Sequence, residues 1–256
     1  MNDVRPGLLL PKLIVQSSEL GANRLLKSLS AADRAALLPD LETASLATSQ
    51  IIERSNERIS YVYFVTSGLA SVVGTTTEPE QRIEVGMVGY EGMTGLAVVL
   101  GDDRSTNETV VQAAGTALRI SSVALRRTLQ DSATLSAALL RYVHVFMMQC
   151  SQTALANGRG RLSERLARWL LMWQDRLKTR HLTVTHEFLA LLLGVRRQVV
   201  TLALHELEGR GFIKGTRNRI TVVDREGLLG LANGFYGVPE AEYDRTIRPR
   251  RAPRRA

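Results

Sequence analysis

The chain has 256 residues, 45% of them hydrophobic and 23% charged, with a formal net charge of +8: enough for two modest domains with real cores, and a charge balance that suits a polyanionic partner. A single cysteine, Cys150, excludes an internal disulfide and any iron–sulfur or structural zinc centre built from cysteines alone. No apolar run approaches the roughly 18 residues of a membrane-spanning helix, and the opening MNDVRPGLLLPKLIV has an acid and prolines where a secretion signal has neither, so a cytoplasmic protein without membrane insertion is expected.

Residues 1–18 read as a flexible N-terminus. After them Leu25, Leu26, Leu29 and Leu37-Leu38 fall at roughly helical spacing, with Ser30 a cap for a second helix. From Ile51 to Ile120 glycine punctuates short runs of alternating apolar residues. Ile59, Tyr61, Tyr63 and Val65 lead into Thr66-Ser67-Gly68, which reads as a turn from which Leu69 to Val73 pairs back. Further strands are expected at Ile83 to Met87, Val110 to Gln112 and Leu118 to Ile120, making residues 19–131 a small β-sandwich or roll. Asp102-Asp103-Arg104 reads as an exposed hairpin tip.

Ser132 to Ala156 contains no proline or glycine, and Leu135, Leu139, Val143, Phe146 and Cys150 recur at three-to-four spacing with Leu140 and Met147 on an adjacent stripe. The spacing predicts one long helix over 132–157 whose apolar coverage exceeds the roughly 100° of a one-sided surface helix. A second copy of the chain is the expected partner, met through Leu139, Val143, Phe146 and Cys150. Asn157-Gly158-Arg159-Gly160 then marks a hinge, opening a second domain over 158–236. Leu162, Leu166, Trp169, Leu170, Trp173 and Leu177 define an amphipathic helix whose tryptophans pack onto that domain.

Thr185 to Gly209, THEFLALLLGVRRQVVTLALHELEG, reads as two short amphipathic helices around a tight turn at Gly194. A steep crossing in so few residues needs a small side chain at the contact and a glycine in the turn, which Ala190 and Gly194 supply. Val200, Leu204 and Leu207 form the inward row of the second helix. Its other face carries Arg197, Gln198, Thr201 and His205, with Arg196 at the helix start, the arrangement of a helix that presents its first turn to base edges. Arg can bond guanine O6 and N7, and Gln adenine N6 and N7, in bidentate fashion. Phe212-Ile213 and Ile220 to Val223 flank a basic tip, so a β-hairpin is expected that brings Lys214, Arg217 and Arg219 to phosphate. The predicted interface with double-stranded DNA is Thr185, Arg196, Arg197, Gln198, Thr201, His205, Lys214, Arg217 and Arg219. Residues 237–256 end in RPRRAPRRA and read as a basic disordered tail.

Two segments in particular, Glu164-Arg165-Leu166-Ala167-Arg168-Trp169-Leu170-Leu171 and Leu193-Gly194-Val195-Arg196-Arg197-Gln198-Val199-Val200, resemble the Crp/Fnr family of bacterial transcription regulators, and the order of elements matches over roughly 51–235. The resemblance implies an α+β fold: an N-terminal β-roll or jelly roll like a cyclic-nucleotide-binding domain, a long dimerisation helix and a C-terminal winged helix-turn-helix. It implies a homodimer on a pseudo-palindromic operator, an effector at the roll, and RNA polymerase as a further partner where the outcome is activation. By the same resemblance Arg197 reads a guanine. Gln198 stands where that family has an acid, and Leu202 where cyclic-AMP-responsive members have a second base-reading Arg, so a different operator is expected.

Gly89-Tyr90-Glu91-Gly92, followed by Arg104-Ser105, resembles the phosphate cassette of cyclic-nucleotide-binding domains, in which such a Glu accepts the ribose hydroxyl and such an Arg holds the cyclic phosphate. Gly89, Glu91, Gly92, Arg104 and Ser105 are therefore the candidate cofactor site. Twelve residues separate Glu91 from Arg104, more than in responsive members, and Cys150-Ser151 stands where they use a Thr-Ser pair, so a cyclic nucleotide is not the favoured effector. His144, His181, His186 and His205 have no metal-ligand spacing, and no nucleophile motif or phosphate-cradling loop occurs, so no metal, no catalytic residue and no enzyme are expected. The alternative is a small-molecule-binding signalling module without specific DNA binding.

Overall fold

A computed structural model describes residues 15–78 and 81–247. Helices α1 (Arg24–Ser28) and α2 (Ala31–Leu37) come first. Asn23 caps α1, accepting from the Leu26 N–H, while its buried amide donates to the Val65 and Gly92 carbonyls, 2.8 Å each. Ser30 caps α2 as its sequence predicts.

The roll is one antiparallel sheet of β1 (Glu42–Leu46), β2 (Ile51–Glu53), β3 (Tyr61–Thr75), β4 (Arg82–Val88) and β5 (Glu108–Ser121), in the order β1-β5-β3-β4 with β2 also on β5. Thr66-Ser67-Gly68 does not reverse the chain, contrary to the sequence expectation, and β3 continues through it. Gly68 adopts φ +84° where a Cβ would lie 2.5 Å from the Ala113 carbonyl oxygen, and a side chain on Gly115 opposite would strike Ser67. The pairing register shifts three times between Val65 and Ala70, so the glycine serves a bulge that bends two long strands together. The expected strands at 110–112 and 118–120 are likewise the two halves of β5.

Helices α3 (Leu96–Val99) and α4 (Ser122–Asp131) close the roll, and α5 (Ala133–Arg159) runs along it, capped at Ser132. The predicted dimer residues face inward. Leu139 is 0%, Val143 4% and Phe146 6% exposed, Leu139 among the roll's buried side chains and Phe146 inside the roll with Val65, Val88 and Val111. Cys150 is half-buried, its thiol pushed up to about 11 by burial. The assignment of these four to a dimer face is therefore corrected: the wide apolar stripe is consumed within the chain. The outward face instead carries Ala133, Ala137, Leu140, His144, Met147, Ser151, Ala154 and Gly158, all exposed and spaced four-three throughout. That is the period of a coiled-coil seam.

The second domain begins with α6 (Leu162–Leu177) and β6 (His181–Thr183), continues through α7 (His186–Leu193) and α8 (Arg197–Gly209), then β7 (Ile213–Thr216), β8 (Arg219–Val222) and α9 (Arg225–Leu231). Its core is shared with the roll, since Leu69 and Met87 pack among Leu166, Trp169, Leu170, Trp173 and Leu193. The expectation of a disordered 237–256 is also corrected, for α10 (Val238–Ile247) packs on α5 and the roll. Tyr243 and Ile247, one helical turn apart, are buried there, and the Tyr243 hydroxyl donates to the Glu91 carbonyl at 2.6 Å. The expectations for residues 1–14 and for the arginine-rich 248–256 lie outside the described residues.

Candidate nucleic-acid interface

Helices α7 and α8 meet at 104° around Gly194, whose φ of +63° explains the glycine. Thr185 is the N-cap of α7, its hydroxyl accepting from the Phe188 N–H. On α8 the inward row is Val200, Ala203, Leu204 and Leu207, all buried, as the spacing requires. Arg196, Arg197, Gln198 and His205 are exposed. Arg197 makes one surface ion pair, to Glu187 at 3.1 Å, with both side chains roughly two-thirds exposed. Such a pair contributes about 0–1 kcal/mol and gives way readily to a stronger partner. Thr201 is half-buried, donating to the Arg197 carbonyl and bonded to His186 Nδ1 at 2.9 Å. Its hydroxyl thus ties the two helices together.

Leu202, 68% exposed, and Val199, 43% exposed, lie on the same outward side. The sequence reading passed over them as contacts. The available signal was a large apolar residue on a face otherwise given to Arg, Gln and His, where a thymine methyl is the natural counterpart.

Strands β6, β8 and β7 form a three-stranded sheet beside α8. β6 escaped the sequence analysis because three residues show no period. Thr216 pairs with Arg219, so the hairpin turn is Arg217-Asn218, with Asn218 at φ +57°. Lys214 and Arg219 stand on the strands and only Arg217 at the tip, all three exposed. The Gly215 N–H donates to Glu208 Oε1 at 2.9 Å, fixing the hairpin to α8.

The residues of the predicted cofactor site are not brought together. The Gly89–Gly92 turn is pressed against α5 and α6, where a Cβ on Gly92 would overlap the Tyr142 phenol and one on Gly89 would meet the Arg176 stem. Glu91 pairs with buried Arg176 at 2.8 Å. Arg104 is exposed, beside Asp103 and donating to the Asn56 carbonyl, and the Ser105 hydroxyl accepts from the Asn107 N–H. Of the five, Ser105 lines the cavity inside the roll, which measures about 60 Å³ and is lined by one ionisable group, Glu53. Burial pushes that carboxyl up, and its Oε1 has no hydrogen-bond partner. Such a space has room for a few water molecules at most. A cyclic phosphate, which needs a cation where this cavity has an acid, does not fit.

The two halves meet through a buried polar network. Trp169 Nε1 donates to Glu84 Oε1 at 3.0 Å, Gln112 Nε2 and Ser71 Oγ donate to Oε2, and Trp173 Nε1 donates to Gln112 Oε1 at 3.3 Å. The tryptophans stack at 5.5 Å. Burial pushes Glu84 up to about 7 against the Ser71 hydrogen bond, the Arg168 charge and the Trp169 N–H. Gln149 of α5 adds a two-point bond to the Met87 backbone.

These features define a winged helix-turn-helix protein with a β-roll and a long intervening helix. The chain carries a Crp-like helix-turn-helix domain over residues 164–231, and its architecture as a whole has the Crp/Fnr fold. A transcriptional regulator of the Crp/Fnr family from Eubacterium rectale is 21% identical, with a TM-score of 0.63 over 84% of this chain and 100% of that one. FixK2 from Bradyrhizobium japonicum is 17% identical, with a TM-score of 0.65 over 75% and 96%. The c-di-GMP-responsive global regulator CLP from Xanthomonas campestris is 16% identical, with a TM-score of 0.62 over 75% and 99%. No curated protein matches the sequence. Among the described residues no group of three His, Cys, Asp or Glu side chains is placed to hold a metal ion, and no single helix is long and apolar enough to cross a membrane.

Proposed function

We propose that this protein is a cytoplasmic, sequence-specific transcription regulator that binds a pseudo-palindromic operator as a homodimer. The observation that carries the reading is the exposed first turn of α8, Arg196-Arg197-Gln198, standing on a fully buried apolar row beside a basic hairpin. Arg197 and Gln198 read base edges, with Leu202 and Val199 against thymine methyls, while Lys214, Arg217 and Arg219 hold phosphate. Two copies join along the seam of α5 that runs through Leu140, His144 and Met147. A two-fold dimer sets two recognition helices about 34–36 Å apart, in successive major grooves. RNA polymerase is the further partner where the site lies in an activating position.

Selection from a random-duplex pool at moderate salt, followed by sequencing, tests the reading. Enrichment of a two-fold symmetric motif is the expected result. Binding without enrichment, or no salt-dependent binding, would overturn it in favour of a signalling module that does not read DNA.

A further inference from the structure

A cavity of about 470 Å³ opens where the roll, α6 and α10 converge, away from the interior of the roll. Its polar lining is one-sided. Arg24 and Lys27 come from α1 and Lys178 from the end of α6, and no carboxylate lines it. Tyr90, Tyr243 and Ile247 supply flat and apolar walls. Lys178 Nζ lies 3.7 Å from the centroid of the Tyr90 ring, and the Arg24 guanidinium 4.6 Å from that of Tyr243. Arg24 also pairs with Asp244. Neither Lys27 nor Lys178 has an ion-pair partner among the described residues. Lys178 is held in place by its backbone, since it is the C-cap of α6 at φ +52°.

Arg24 is already paired with Asp244, but Lys27 and Lys178 face the same cleft with no carboxylate of their own, and an anion seated between them offsets their mutual repulsion. Tyrosine faces that already hold cations edge the space where a flat body would lie. Arg24, Tyr90 and Tyr243 also line an adjoining cavity of about 250 Å³, where the Glu91–Arg176 pair lies and Glu91 Oε2 has no hydrogen-bond partner. A hydrogen-bond donor on the far side of the ligand body would satisfy that oxygen.

We infer that this cleft binds a small organic anion with a flat unsaturated body, the head between Lys27 and Lys178 and the body between Tyr90 and Tyr243. Its walls belong to α1, to the roll, to the end of α6 and to α10, so the ligand holds Lys178 of the helix-turn-helix half to Lys27 of the half that contains the roll. It therefore favours the docked arrangement of the two halves over any in which they separate, and differential affinity of that kind is what lets an effector shift DNA binding. The binding stands apart from the DNA-reading proposal, whereas the regulatory role rests on it, and the two are measured separately.

Isothermal titration calorimetry of the full chain with phenyl phosphate, benzoate, inorganic phosphate and benzyltrimethylammonium tests the site. Phenyl phosphate and benzoate are expected to bind, inorganic phosphate at least fivefold more weakly than phenyl phosphate, and the cation not at all. The double variant Lys27→Met/Lys178→Met is expected to lose at least tenfold in affinity, while Arg54→Ala, which removes the same sign of charge from an exposed position of the roll outside both proposed sites, binds as the parent does. No heat with any anion, equal binding in the double variant, or equal binding of inorganic phosphate would overturn the assignment. Phenyl phosphate at saturation should shift the DNA affinity of the parent at least threefold and leave the double variant unmoved. Intact ligand binding with no such shift overturns the effector role alone, whereas loss of DNA binding in every sample would count against the DNA-reading proposal.

Discussion

Glu84 is a buried carboxyl group held between Ser71, Gln112 and Trp169. Its folded pKa of about 7 stands above the ordinary value near 4.5. Between those values the folded chain keeps a proton that the unfolded chain has released, so stability falls as pH rises through that interval and levels off above it. The slope it contributes approaches about 1.4 kcal/mol per pH unit at most. Glu53, also pushed up by burial, acts in the same direction. Urea unfolding between pH 5 and 8 should show the decline, and Glu84→Gln, which has no proton to titrate, should remove Glu84's share of it. An unchanged slope in the variant would show that the proton is held elsewhere. Trp169 was legible in the sequence as a packing residue; its hydrogen bond was not, because the acceptor lies 85 residues away.

At the scale of elements, what was legible was local. Gly194, Ala190 and the 200, 204, 207 row fix the crossing of α7 and α8 within two dozen residues. Gly68 was misread because a turn and a bulge ask the same freedom of the backbone, and only the partner strand distinguishes them. Helix α10 was hidden by the arginines that follow it, although Pro239 near its start and Tyr243 and Ile247 one turn apart fit a helix. It is a structural strap: Tyr243→Ala should cost about 3 kcal/mol of stability in chemical denaturation, from lost burial and the lost bond to the Glu91 carbonyl. A loss below about 0.5 kcal/mol would show the helix to be peripheral. The wing makes a different prediction. Arg217→Ala should weaken binding to all duplexes alike and lower the slope of log affinity against log salt by about one, as a phosphate contact does. A change in base preference would place Arg217 in a groove instead.

For the molecule as a whole, the long helix was legible and its orientation was not. Its two apolar stripes differ by a rotation that the sequence alone leaves open, and the roll and α10 take the stripe through Leu139 and Phe146. The seam through Leu140 and Met147, both about half exposed or more, is the face proposed for a second copy. Met147→Glu should convert the dimer to a folded monomer in sedimentation equilibrium and weaken operator binding at least tenfold. Leu139→Ala should instead lower stability by about 3 kcal/mol and leave the dimer intact. The reverse pattern would restore the inward residues to the dimer face.

Reading of bases by the first turn of α8 is the claim on which the rest depends. The most direct test is to select operators from one random-duplex pool with the parent and with Arg197→Ala side by side. The account predicts a two-fold symmetric motif for the parent and the same motif for the variant with one position per half-site relaxed, a discrimination of about 1–3 kcal/mol lost there. An identical, undiminished motif from the variant would contradict it.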